Sequence, residues 1–305
     1  MEKLAFIFPG QGAQYIGMGR DFYEQFKESR EIFDQANEVL GMDVCALCFE
    51  ENDKLSITEY TQVAMVTTML AMTAHIHTLG IKPDVTAGLS LGEYVALTES
   101  GVIKPMDAIR LVRKRGLFMQ EAVPTGKGAM AAVLGLDLET TKKVCEETEG
   151  IVSIANYNCP GQLVISGEKE AVEKAAEGCK EAGAKRVIFL NVSGPFHSKM
   201  LEEAGRELAK ELETISFENP TIPYVANVTA EYVTKKDGIK ESLAKQVSSS
   251  VMWQQSVEAM IKDGVTTFVE IGPGKTLSSF VKKIDRSVKV INIEKADDLE
   301  KLKGE

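Results

Sequence analysis

At 305 residues the chain is long for one compact domain and short for three, which predicts one large domain with a smaller companion or insert. Hydrophobic residues make up 44%, enough for a substantial core, while 35 Lys+Arg against 45 Asp+Glu give a formal charge of -10 that opposes the phosphate contacts of general nucleic-acid binding. Nucleic acid is not an expected partner, but a local basic pocket for an anionic substrate or an acidic protein remains compatible with the composition.

Residues 4–8 form a short apolar run ended by Pro9-Gly10, the pattern of a buried strand entering a tight loop. The run is far too short for a secretory h-region and lacks a small-residue cleavage pattern, so a cytoplasmic location is expected. A helical pattern covers residues 20–40. Cys45 and Cys48 make a C-x-x-C among Val44, Leu47 and Phe49, without a second pair or histidines at zinc spacing. With Cys145, Cys159 and Cys179 they give five scattered thiols, which fits reduced core cysteines rather than disulfides or a metal site. A second helix covers 62–79. Its most apolar part, 63–76, carries Thr67, Thr68, Thr73 and His75 and falls short of a spanning segment, so a buried helix and no membrane are expected. A strand at 85–87 leads into Gly88, and a third helix covers 106–123.

The middle of the chain changes rhythm. Strand 129–134, helix 138–148, strands 151–157 and 162–166 around Asn158-Cys159-Pro160-Gly161, helix 169–182 and strand 186–190 give a β-α-β-β-α-β order, the ferredoxin-like arrangement. This predicts an inserted small domain at 126–195, bounded near Pro124-Thr125-Gly126 and Gly194-Pro195, within a catalytic domain formed by 1–125 and 196–305. Strands at 267–271, stopped by Gly272-Pro273-Gly274, and at 288–293 complete the alternation with helices that implies a parallel α/β sheet. The charged segment after Glu294 is expected to fray.

Gly88-Leu89-Ser90-Leu91-Gly92 is a G-x-S-x-G between a strand and a helical run, the context of a nucleophile elbow. Such a turn exposes the serine hydroxyl above the sheet, and the following helix N-terminus brings amide groups and a positive dipole end to any oxyanion formed there. A serine needs a base, and there are three histidines. His75 and His77 stand two apart on one helix and face different ways, which suits helix packing. By elimination and by its Gly194-Pro195-Phe196-His197-Ser198 context, His197 is the base. No acidic third member is evident, since Asp107 and Asp137 lie at helix starts, and a backbone carbonyl could orient the ring instead.

Arg115 falls on the stripe of Ala108, Val112, Met119 and Ala122, beside Gly116. A guanidinium there either snorkels outward along its stem or is held in a cleft to take a carboxylate through two parallel bonds, and spacing alone leaves both open. The loop Phe8-Pro9-Gly10-Gln11-Gly12 could add amides to an oxyanion hole; its glycines do not make a dinucleotide fingerprint, and Gly274-Lys275-Thr276 lacks the upstream glycine of a P-loop, where Val269 stands.

Taken together, Phe8 to Gly12, Gly88-Leu89-Ser90-Leu91-Gly92-Glu93-Tyr94, Arg115-Gly116, Asn156 to Gln162, Phe196-His197 and Glu270-Ile271-Gly272-Pro273-Gly274 resemble the malonyl-CoA:acyl-carrier-protein transacylases of fatty-acid synthesis over nearly the whole chain. The resemblance implies an α/β-hydrolase-like large domain with the ferredoxin-like insert and the active site between them. It implies Ser90 as nucleophile, His197 as base held by the main-chain carbonyl of Gln246, Arg115 on the malonyl carboxylate, and the amides of Gln11 and Leu91 as the oxyanion hole. Gln62 and Asn158 match polar residues of the cleft. Phe196, a bulky residue directly before His197, either crowds the α-carbon of the acyl group or only packs the loop. Malonyl-CoA and acyl carrier protein are the implied partners, with the coenzyme A thioester as substrate and no cofactor or metal. One departure is Leu89, where the family usually has histidine. A serine hydrolase of esters or thioesters is the rival enzyme reading, and a carrier-protein docking module the non-enzymatic one.

Overall fold

The structure, a computed structural model, describes residues 3–124, 126–192 and 194–303; Thr125, at the expected first boundary, lies outside the described residues. Strand β1 (Lys3–Phe8) turns Ala5 and Ile7 to one face and Phe6 and Phe8 to the other, and all four are fully buried. A strand buried on both faces belongs at the centre of a parallel sheet covered by helices. There follow α1 (Arg20–Gln25), α2 (Lys27–Leu40), α3 (Val44–Phe49), α4 (Thr58–Thr78), β2 (Val85–Gly88), α5 (Gly92–Glu99) and α6 (Pro105–Glu121). β2 runs parallel to β1, with Ala5 opposite Val85 and Phe8 opposite Gly88, so both strands end at the same edge, where Ser90 emerges.

Next come β3 (Gly128–Leu134), α7 (Leu138–Glu147), β4 (Val152–Cys159), β5 (Gln162–Glu168), α8 (Lys169–Glu181) and β6 (Arg186–Phe189). Their strands form a separate antiparallel sheet in the order β4-β5-β3-β6, the ferredoxin-like order, with its own core around Val133, Ile165, Val172 and Cys179. The chain then returns through α9 (Glu202–Glu213), β7 (Tyr224–Val225), β8 (Tyr232–Val233), α10 (Ile239–Gln246), α11 (Trp253–Lys262), β9 (Val265–Ile271), α12 (Thr276–Ile284) and β10 (Lys289–Ile293). The large sheet reads β10-β9-β1-β2-β7-β8, parallel except for the β7-β8 pair. The small sheet is tied to the segment just before α11: Tyr157 N donates to Val251 O at 3.0 Å and Val251 N to Ala155 O at 2.8 Å.

Two expectations are corrected. The single helix over 20–40 is two, because Phe26 is extended (φ -121, ψ 128), and its ring stacks on His75 of α4 at 3.5 Å between centroids. No glycine or proline marks that break. Up to residue 303 the segment after Glu294 is ordered rather than frayed: Ala296–Leu302 is a 3-10 helix with Ala296 and Leu302 buried, and Asp298 accepts from the amides of Glu294 and Lys295. Elsewhere the buried Glu270 caps α12 through the amides of Leu277 and Ser278, at 3.0 and 2.8 Å, which fixes a helix that reaches the cleft described below. All five cysteines are free, with Cys45 and Cys48 on α3. Among the described residues no helix is long and apolar enough to cross a membrane.

Candidate active site

Ser90 leaves β2 with φ +51, a left-handed backbone that costs a serine roughly 1–3 kcal/mol and marks a strained turn. The flanking glycines are dictated by close approach. A Cβ on Gly88 would sit 2.0 Å from the Gly92 carbonyl carbon, and one on Gly92 would sit 2.1 Å from Phe8 O. The elbow is thus pressed directly against the end of β1.

His197 also has a positive φ, +59, in a turn held by Ser198 Oγ donating to Pro195 O at 2.7 Å. Its Nε2 lies 2.7 Å from Ser90 Oγ and its Nδ1 2.8 Å from Gln246 O. A carbonyl only accepts, so Nδ1 carries the proton and Nε2 is left to take the serine proton. Burial, followed by the charge of Arg115, brings the imidazole pKa down to about 4. At neutral pH the ring is uncharged and able to act as a base.

Arg115 projects from α6 into the same space with 1% of its surface exposed, which rules out the snorkelling arrangement. Its Nη2 donates to Ser90 Oγ at 3.1 Å and to Gln246 Oε1 at 2.9 Å, and its guanidinium lies 5.4 Å from the centre of the Tyr94 ring. Nε has no protein partner. A fork with a donor to spare, beside a serine hydroxyl, can take a carboxylate.

Ser90 and His197 open onto a cleft of about 380 Å³ whose other wall comes from the small sheet, including Asn158, with Phe196, Gln11 and Phe280 at its sides. Asn158 is buried and its Oδ1 lacks a protein partner. Leu91 stands at the start of α5, and among the described residues neither its amide nor that of Gln11 is taken by a protein acceptor. Gln62 is buried on α4 with Nε2 against Met119 Sδ at 3.5 Å, and its Oε1 has no protein partner. His75 and His77 turn to Phe26 and Glu99.

The model of the acyl transferase domain family matches residues 5–302. The malonyl CoA-acyl carrier protein transacylase of Bacillus subtilis is 47% identical over 98% of this chain and 96% of its own, and that of Staphylococcus aureus (strain MW2) 42% over 98% of each. Among solved structures, the malonyl CoA-acyl carrier protein transacylase of Clostridium perfringens superposes with a TM-score of 0.96 at 48% identity, covering 98% of this chain and 96% of that one. A malonyl-transacylase in complex with its type II PKS acyl-carrier protein superposes at 0.95 with 40% identity and 98% of each chain covered. The chain belongs to the acyl transferase family, with the malonyl CoA-acyl carrier protein transacylases.

In this acyl transferase two further residues hold the elbow that sequence reasoning did not single out. Asn227 accepts from Ser90 N at 2.6 Å through Oδ1 and donates to Gly88 O at 2.6 Å through Nδ2, clamping both sides of the strained turn. It follows a strand of two residues, too short to leave a pattern. Glu93 is fully buried in the first turn of α5, where Oε2 accepts from Gln246 Nε2 at 2.6 Å and Oε1 from Asn227 N at 3.2 Å. Burial raises its pKa to about 7, against the hydrogen bonds and Arg115, which pull it down. An acid within the otherwise buried run Gly92 to Leu97 was the available signal.

Proposed function

We propose that the protein transfers malonyl groups from coenzyme A to the phosphopantetheine thiol of acyl carrier protein through an ester on Ser90. The observation that carries this reading is the position of Ser90 Oγ, 2.7 Å from the neutral base His197 and 3.1 Å from the buried guanidinium of Arg115. An esterase acting on neutral acyl groups has no use for a buried cation beside its nucleophile. The names of the relatives support the same substrate and acceptor.

The steps balance without a redox partner. Ser90 Oγ attacks the thioester carbon while its proton passes to His197 Nε2, and the amides of Gln11 and Leu91 receive the oxyanion. Arg115 exchanges its contact with Ser90 Oγ for the malonyl carboxylate. The carbon-sulfur bond breaks, coenzyme A leaves with the proton from His197, and the serine ester remains. The acceptor thiol then gives its proton to His197 and attacks the ester, after which Ser90 recovers the proton. The Gln246 carbonyl holds the imidazole in the required tautomer throughout, and the chemistry draws on no cofactor beyond the thioester. Phe196 stands at the side of the cleft, where it either crowds the acyl group or packs the loop, and the enzyme works in the cytoplasm.

Intact-mass measurement after mixing with malonyl-CoA tests the proposal. A single malonyl adduct, formed in a burst and discharged by an acceptor thiol, is expected. Continuous release of free malonate without an adduct would instead fit a hydrolase.

A further inference from the structure

Gln246 joins four of the groups around Ser90. Its main-chain oxygen accepts from His197 Nδ1, its Oε1 accepts from Arg115, and its Nε2 donates to Ser90 O at 2.9 Å and to Glu93 Oε2 at 2.6 Å. The amide can present oxygen to Arg115 only while its nitrogen end faces acceptors. Glu93 supplies the charged one, and its second oxygen is anchored by Asn227 N. A buried carboxylate is unfavourable unless paired, so packing alone does not account for an acid at this position.

We propose that Glu93 is a positioning residue for acyl selection: its buried carboxylate locks the Gln246 amide with oxygen toward Arg115, and so holds the guanidinium where it prefers a carboxylate-bearing acyl group. This rests on Arg115 being the receptor for the malonyl carboxylate. The carboxylate is also the only isosteric choice. A glutamine at 93 would have to turn its NH2 toward one of two donors, Asn227 N or Gln246 Nε2, and either clash loosens the amide that Arg115 leans on.

The test compares specificity constants for malonyl-CoA and acetyl-CoA in wild type, Glu93→Gln, Glu93→Asp and Arg115→Ala. Glu93→Gln should lower the malonyl-to-acetyl ratio about tenfold, the worth of one hydrogen bond to a charged group, with acetyl transfer affected less. Glu93→Asp, which keeps the charge, should recover part of the ratio. If Arg115→Ala keeps the wild-type preference, the reading of Arg115 itself fails. If Arg115→Ala loses the preference while Glu93→Gln keeps it within about twofold, the role of Glu93 alone is overturned. Equal loss of both acyl groups in Glu93→Gln also overturns it. A measurement on wild type covers the case of a variant that does not fold. The ionisable neighbours of Glu93 are Arg115, Tyr94 and Tyr224, and burial raises both phenols, Tyr94 to about 12, while His197 titrates at about 4. Between about pH 8 and 6 Glu93 is therefore the group that gains a proton, and the malonyl-to-acetyl ratio should fall over that interval. A flat ratio overturns the proposal.

Discussion

Among the described residues, the two walls of the cleft leave different kinds of group open: Arg115 Nε and the amides of Gln11 and Leu91, all donors, on the large-domain side, and the acceptor Asn158 Oδ1 on the small-domain side. On the large-domain wall Ser90 Oγ, both nitrogens of His197 and the side-chain amide of Gln246 are all hydrogen-bonded to one another or to their supports. On the small-domain wall Asn158 is just as deeply placed, yet its Oδ1 accepts from no protein donor. The difference separates two tasks. Groups that stabilise developing charge work best when already fixed, because nothing then has to reorganise during reaction, whereas an acceptor left open is completed by what binds. On this view the chemistry resides in the large domain and the grip on the thioester arm in the small one.

The largest effects should come from the fixed wall. Ser90→Ala should abolish the malonyl adduct seen by intact mass, and His197→Ala should slow its formation about a hundredfold or more, the usual worth of a positioned base. Unchanged adduct yield and rate in both variants would dissolve the distinction between the walls.

Arg115→Ala comes next. It should cost malonyl transfer about 3–5 kcal/mol, the range for breaking a buried charged pair, while sparing acetyl transfer; Arg115→Lys should rescue only part, since a point charge cannot reproduce the planar fork. Specificity constants for both thioesters, with circular dichroism to confirm folding, check this. Equal losses for the two would make Arg115 structural. The same variant carries a pH signature. With the imidazole at about 4 in the folded protein and 6.5 as its ordinary value, its neutral state survives well below 6.5, so the acid limb of kcat/KM for acetyl transfer, which does not draw on the Arg115 fork, should lie between those values in wild type. Removing the Arg115 charge, the second cause of the depression, should move that limb upward. The stability linkage of the histidine has matching sign: below 6.5 the unfolded chain binds a proton that the folded histidine refuses, so this group's contribution to stability is full above 6.5 and declines as pH falls toward about 4, while Glu93, held above its ordinary value, contributes with the opposite sign.

Much of this was legible in the sequence because it depended on local rules. The elbow showed itself by glycines at fixed offsets between a strand and a helix, and the small domain by its β-α-β-β-α-β order. Arg115 was visible as a charge on an apolar stripe, but burial, not spacing, decides that it stays inside. What periodicity could not reveal are contacts between distant segments. Asn227 clamps a turn 137 residues away, and the carbonyl of Gln246 stands where a carboxylate is commonly expected, a role that any residue type could fill and that only the family resemblance indicated. Phe26, extended where the helix breaks, stacks on His75 some fifty residues on, a contact that local spacing does not record.

Phe196 tests the boundary between the walls. It is buried at the side of the cleft directly before His197. If it crowds the α-carbon, Phe196→Ser should raise methylmalonyl transfer relative to malonyl by about tenfold, the worth of roughly one methyl group of fit. An unchanged ratio would leave Phe196 as loop packing.

The smallest effect, and the sharpest test of the contrast, belongs to Asn158. A buried acceptor without a donor destabilises the free protein, so its presence suits a ligand that arrives with an N–H group. The pantetheine arm is an amide chain and is common to coenzyme A and to a carrier protein. Replacing Asn158 with alanine should therefore raise KM for malonyl-CoA, acetyl-CoA and the carrier protein alike, by about three- to tenfold, or roughly 1 kcal/mol for one neutral hydrogen bond. The kcat values, the malonyl-to-acetyl ratio and the acid limb should all stay where they are, because none of the groups that govern them touches Asn158. The melting temperature of the free protein should hold or rise, since an unsatisfied polar group has been removed. A fall in kcat, or a change in acyl preference, would instead join Asn158 to the machinery of the opposite wall and leave the division of labour without support.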